Sequence, residues 1–219
     1  MKLGIFGGTF NPVHYGHLRA AEEVCGKLSL DKVLFIPAGK TPFEKPETVS
    51  AVHRFNMVKT AIKGNTRFQI SDIEVKARGK SFTVDTMKKL GKLYPGSELF
   101  FILGIDAFLD LPHWKQPDTL LNLSHCVVTS RPGYTFTDLM PSPYLRHVSR
   151  AVLRKMDAGS MDLFCFDISE SQKCFLCRVT SLNISASYIR NLIISGENIK
   201  YLLPDSVESY IISHKLYKK

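Results

Sequence analysis

The stretch Gly4-Ile5-Phe6-Gly7-Gly8-Thr9-Phe10-Asn11-Pro12-Val13-His14-Tyr15-Gly16-His17 constrains the fold more than any other part of the chain. An apolar run (Leu3, Ile5, Phe6) leads into a glycine pair, a polar turn and two histidines three residues apart. Leu18, Ala21, Val24, Cys25 and Leu28 then recur at the spacing of one helix face. The pattern is a buried strand, a tight loop and a helix N-terminus. Backbone N–H groups at such a junction, which glycine lets a ligand approach closely, suit phosphate. His14 and His17 fall in the first turn on one side, where imidazoles can meet charge developing on a phosphoryl group. A nucleoside triphosphate is the expected ligand.

Strands and helices alternate through most of the chain. Lys32–Ile36, Phe68–Ile70, the segment around Ile73–Val75, Glu98–Leu103 and His125–Thr129 read as strands. Residues 51–63 and 83–93 read as helices, the first with Val52, Phe55, Met57, Val58, Ala61 and Ile62 as its apolar positions. Such alternation predicts an α/β fold, a doubly wound (Rossmann-like), mostly parallel sheet with helices on both faces. Residues 145–156 are expected to be helical, with short strands near 163–166 and 174–179. A small C-terminal helical part starts near Ser187 and again near Asp205. One α/β domain over residues 1–219 is expected, with a core to about residue 180.

The formal charge of +9 raises the question of nucleic acid. The basic residues are scattered, and no aromatic stripe alternates with them, so small polyanionic substrates fit the charge better. No run is long and apolar enough for a membrane span. The N-terminus runs straight into a strand, so a cytoplasmic protein with neither nucleic-acid nor membrane partner is expected. Five cysteines, an odd count, are expected to be reduced. Cys174 and Cys177 have zinc-ligand spacing, with Cys165 and His147 as further candidates, but an apolar strand holding ordinary small side chains is the preferred reading.

Further motifs sit past the predicted strand ends. Gly104-Ile105-Asp106 places a carboxylate where ribose hydroxyls can be met, or where it caps a helix. Trp114, the only tryptophan, sits in Leu111-Pro-His-Trp114-Lys115, either as core or as a stacking surface. Thr83 is expected to cap the helix that starts there, with Asp85 in its first turn. Ser185-Ala-Ser187-Tyr-Ile-Arg190 is a hydroxyl-rich helix start with an arginine one turn in, a phosphate-binding arrangement.

In order and over nearly the full length, these motifs resemble the bacterial nicotinate mononucleotide adenylyltransferases, within the HxGH nucleotidyltransferase superfamily. HxGH (His14–His17) marks the superfamily. Ser81-Phe-Thr-Val-Asp-Thr86, Gly-Ile-Asp with Leu-Pro-His-Trp, Ser130-Arg-Pro-Gly133 and Ile184-Ser-Ala-Ser-Tyr-Ile-Arg190 point to the nicotinate branch. The resemblance implies catalytic roles for His14, His17 and Arg190. It implies an ATP site of Gly7, Gly8, Thr9, Phe10, Lys40, Gly104, Asp106, Ile184, Ser185 and Ser187. Thr83, Asp85, Trp114, Lys115 and Arg131 would recognise nicotinate mononucleotide, and Mg²⁺ would come with the ATP phosphates, with no protein-made metal site. The loop Lys40-Thr-Pro-Phe43-Glu-Lys45 departs from the family's usual Pro-Pro-His-Lys or Pro-Pro-His-Arg, leaving Lys40 or Lys45 as the positive charge, and Phe82 replaces the usual Tyr.

Competing readings share parts of this pattern. Adenylyl transfer to phosphopantetheine and cytidylyl transfer to a phosphoalcohol share HxGH but leave Trp114 and Arg131 unexplained. A class I aminoacyl-tRNA synthetase needs a second signature loop. A non-catalytic nucleotide sensor does not need both histidines and Arg190 together, and a basic RNA-binding module would bind random RNA in a salt-sensitive way.

Overall fold

In the computed structural model, which describes residues 1–40 and 47–218, the chain folds around a seven-stranded sheet. The strands are β1 (Lys2–Gly8), β2 (Lys32–Pro37), β3 (Phe68–Ile70), β4 (Glu98–Gly104), β5 (His125–Thr129), β6 (Leu163–Asp167) and β7 (Lys173–Cys177). Their order is β3-β2-β1-β4-β5-β7-β6. Every pairing is parallel except β6 with β7. The first five positions follow the doubly wound order, and the direction of winding reverses between β1 and β4.

Alternation along the strands sorts side chains onto two faces. Leu3, Ile5, Leu34, Ile36, Phe101 and Leu103 face one core, while Phe6, Val33, Phe35, Phe100 and Ile102 face the other. Helices α1 (Tyr15–Lys27), α2 (Ala51–Ala61), α7 (Ala186–Ser195) and α8 (Asp205–Ser213) cover the Phe6 side. Helices α3 (Thr83–Leu93), α4 (Ile105–Asp110), α5 (Pro117–Leu123) and α6 (Arg150–Asp157) cover the other. The expected α/β architecture is therefore present, and no helix among the described residues is long and apolar enough to cross a membrane.

Several local expectations are corrected. The segment 71–77 is a run of turns, not a strand: the Lys76 N–H donates to the Asp72 carbonyl and the Ala77 N–H to that of Glu74. The Glu74 carboxylate draws this segment toward α3 by accepting the Thr86 hydroxyl at 2.7 Å. On α2, Val52 is 58% exposed and Arg54 only 1%. Position 54 therefore lies on the buried face together with Met57 and Val58. The helix expected over 145–156 begins only at Arg150, because Ser149 caps it by accepting the Val152 N–H. Phe82, not Thr83, is the N-cap of α3, and Gly104, not Asp106, is that of α4.

Cys174 and Cys177 lie on β7 with an odd spacing, so Cys174 faces one core and Cys177 the other. One ion cannot reach both sulfurs. Burial raises both thiol pKa values, Cys177 to about 11, as for side chains serving as packing.

Candidate active site

The carboxyl ends of β1 and β4, where the winding reverses, open into a cavity of about 700 Å³. That volume suits a nucleotide-sized ligand and the position is the usual one for such a sheet. Of the residues singled out from the sequence, Gly7, Gly8, Thr9, Phe10, His14, His17, Thr83, Gly104, Trp114, Lys115, Arg131, Ile184, Ser187 and Arg190 line it. The four remaining candidates do not. Asp85 pairs with Lys115 Nζ at 2.8 Å and Asp106 with Arg131 at 2.7 Å, so each touches a lining residue. Ser185 caps α7 by accepting the Tyr188 N–H. Lys40 is exposed and its backbone bridges to Lys80. Lys45 and Phe43 lie outside the described residues.

The turn after β1 is shaped by aromatic packing. Phe10 has φ of 49°, a conformation rare for a bulky residue, and its ring is held by Phe6, Phe35 and His17. His14 and His17 lie ring against ring, with centroids 3.8 Å apart. The close fit explains the glycine between them, since a Cβ on Gly16 would come within 3.0 Å of the His14 ring. The His14 N–H donates to His17 Nδ1 at 3.3 Å, which places the proton of neutral His17 on Nε2. His14 Nδ1 is buried without a partner among the described residues. It is a polar atom awaiting a ligand or water.

Both histidines are held neutral. Burial first, then the Arg131 charge, lowers His14 to about 4. Burial, followed by His14 and Arg131, drives His17 well below its ordinary value. A polyanion in the cavity reverses the charge part of this shift and draws protons onto the pair. The same shifts couple pH to stability. The unfolded chain's histidines titrate near 6.5, so between that value and about 4 the unfolded state binds more protons. The contribution of His14 is thus complete above pH 6.5 and is lost as pH falls toward 4, on the order of 1 kcal/mol per pH unit, and that of His17 changes in the same direction. The melting temperature of the ligand-free protein is expected to drop from pH 7 to pH 5, with a flatter profile in His14→Gln. An unchanged slope in that variant contradicts the assignment.

Arg190 reaches into the same corner from α7. Only 9% exposed, it donates to the Asn11 carbonyl at 2.9 Å and pairs with Glu47 at 3.1 Å and the Ser187 hydroxyl at 3.3 Å. Asn11 itself ties three segments together. Its side chain accepts from the Val49 N–H and the Tyr217 hydroxyl and donates to the Glu47 carbonyl. Sequence reading passed over Asn11, Glu47, Arg54 and Glu74. Asn11 stood inside the histidine motif, whereas nothing in the local pattern marked the other three.

Across the cavity, Trp114 is half-buried, packs edge-on against Phe101 at 6.2 Å and donates Nε1–H to Asp110 at 3.0 Å. It thus anchors one edge in the core and leaves part of its surface to the cavity. The Lys115 ammonium lies 4.5 Å over the Phe82 ring. Thr83, freed from capping, lines the wall at the N-terminus of α3. Arg131, about half exposed, stands past β5 with Asp106 as its partner. A Cβ on Gly104 would fall 2.6 Å from Asp106 Oδ1, so glycine is what admits that carboxylate.

The chain is similar to known proteins over nearly its full length. Residues 5–192 match the model of the cytidylyltransferase-like family. A probable nicotinate-nucleotide adenylyltransferase of Desulfitobacterium hafniense is 39% identical, covering 99% of this chain and 96% of its own. One of the same name from Geotalea daltonii is also 39% identical, covering 99% and 98%. Among solved structures, the Plasmodium falciparum nicotinic acid mononucleotide adenylyltransferase complexed with NaAD matches with a TM-score of 0.73. That match covers 99% of this chain and 97% of the other at 18% identity, a likeness of fold. The chain belongs to the cytidylyltransferase-like family and, within it, to the nicotinate-nucleotide adenylyltransferases.

Proposed function

We propose that the chain catalyses adenylyl transfer from ATP to nicotinate mononucleotide, giving nicotinate adenine dinucleotide and pyrophosphate in NAD biosynthesis. The observation that carries this reading is one cavity joining a histidine-lined turn, with Arg190 beside it, to a wall bearing Trp114, Thr83 and Arg131. A triphosphate suits the first part, and a flat ring with a carboxylate suits the second. The Plasmodium enzyme is complexed with NaAD, the dinucleotide product of this reaction, in agreement with that division.

The 5′-phosphate of the acceptor attacks the α-phosphorus of ATP in line, and pyrophosphate departs. A phosphate nucleophile at neutral pH needs no base, so the protein's work is positioning and charge stabilisation. His17 Nε2–H and the His14 ring face charge on the transferring phosphoryl group. Arg190 exchanges Glu47 for phosphate oxygens, with Ser187 beside it. Asp106 and Gly104 lie on the adenylate ribose side, and Arg131, Trp114, Thr83 and the Lys115 amide receive the nicotinate. On this reading α7 completes the ATP side.

The cavity's carboxylates already have partners: Glu47 in Arg190, Glu74 in Thr86 and Asp110 in Trp114. No group of three metal-ligating side chains stands together among the described residues. This donor set fits a Mg²⁺ that arrives on ATP, held by phosphate oxygens and water. Such an ion, when bound, neutralises phosphate charge. A cytoplasmic location agrees with substrates of this kind.

Pyrophosphate release from ATP and Mg²⁺ is the direct test, with nicotinate mononucleotide, nicotinamide mononucleotide and phosphopantetheine offered in parallel. Strong preference for the nicotinate form is expected. Equal use of the amide would remove Arg131 from its role, and release only with phosphopantetheine would overturn the reading.

A further inference from the structure

Behind the phosphate turn lies a buried guanidinium. Arg54, on α2, directs its donors to three main-chain carbonyls: Nη1 to Thr9 at 2.8 Å, Nη2 to Gly39 at 3.0 Å and Nε to Val49 at 3.0 Å. Those carbonyls belong to the turn after β1, the residues after β2 and the residue just before the cap of α2. One side chain therefore fastens both flanks of the run 40–48 to the turn that carries the histidines. Packing alone does not ask for an arginine here. Met57 and Val58 fill the same helix face with apolar side chains, whereas the guanidinium is the one group there that can meet three main-chain carbonyls at once.

The Thr9 contact has a directional effect. In the trans Thr9–Phe10 peptide the N–H of Phe10 points opposite to the carbonyl that Arg54 holds, and so away from the guanidinium. Thr9 and Phe10 both line the cavity. A cation on the carbonyl also polarises the peptide and strengthens its N–H as a donor.

We propose that Arg54 is a positioning residue for adenylyl transfer: it turns the Phe10 amide toward the nucleotide phosphates and ties Gly39 and Val49 to the same turn. The proposal rests on the adenylyltransferase reading above and deepens it.

Arg54→Lys and Arg54→Met are to be compared with the native protein in steady-state kinetics and thermal melting. The lysine variant keeps charge but loses the three-way fork. It is expected to fold, with KM for ATP raised tenfold or more, kcat lowered tenfold or more and KM for nicotinate mononucleotide within twofold. Arg54→Met is expected to lose more activity and also to melt lower, since three main-chain carbonyls lose their donor. Native kcat and KM per folded molecule, with only the melting temperature lowered, overturn the proposal. If neither variant folds, the native protein decides: on titration with Mg²⁺ and pyrophosphate the Phe10 amide proton is expected to shift downfield in saturable fashion. A Phe10 amide that does not move, or no saturable shift at all, overturns it. Should the native enzyme fail to use nicotinate mononucleotide, the functional reading falls while the titration still reports on the Phe10 amide, and its comparison in Arg54→Lys on Arg54.

Discussion

His17→Ala is expected to lower kcat on the order of a hundredfold or more, as removal of one preorganised donor to a developing anion does elsewhere. Two losses combine in this variant. The Nε2–H donor leaves the cavity, and the His14 N–H loses its acceptor, so the stacked partner is no longer held in place. KM for nicotinate mononucleotide should change far less, because Trp114, Thr83 and Arg131, proposed to receive its ring, lie across the cavity. Single-turnover pyrophosphate release measures the chemical step directly, and a near-normal rate would falsify the role given to His17.

Gly39→Ala is expected to have the largest effect on stability. A Cβ there would sit 2.2 Å from the Glu74 main-chain oxygen and 2.8 Å from the Ser81 hydroxyl. Backbone cannot swing aside as a side chain does, so either the turn segment 71–77 or the end of β2 must move. Overpacking of this kind costs about 3 kcal/mol or more, a drop of roughly 6 to 12 °C in melting temperature for a chain of this length. The Arg54 bond to the Gly39 carbonyl and the Gly39 N–H contact to Glu74 would shift as well. ATP affinity should therefore fall together with stability. A variant that melts within a degree or two of the native protein would show that the segment is loose enough to yield.

Legibility in the sequence followed the range of the interactions involved. The boundaries of α3 and β5 were readable because apolar spacing and flanking Pro-Gly or polar residues fix them locally. The histidine turn was readable for the same reason, being one continuous motif. Residues 73–75 misled: the apolar Ile73 and Val75 flank a glutamate whose partners, Thr86 and Gly39, are distant in sequence. Arg54 was invisible because the acceptors described for it are main-chain carbonyls, which carry no sequence signature. Thr83 looked like a cap on residue type, yet Phe82 adopts the extended cap conformation and leaves the hydroxyl to the cavity wall. Gly104, not Asp106, caps α4, so the carboxylate is left to meet Arg131.

The bond from the Tyr217 hydroxyl to Asn11 spans 206 residues, and Arg190 reaches the same asparagine from nearly as far along the chain. A ribosome adding about 5 to 20 residues per second needs roughly 10 to 40 s between making the two ends of that contact. Through that interval the nascent chain carries its first strands and its paired histidines with the anion site still unfinished. On the reading proposed above, a nucleotide stabilises the fold only once α7 has brought Arg190 to the turn, so it guards the finished molecule and offers little protection to the growing one.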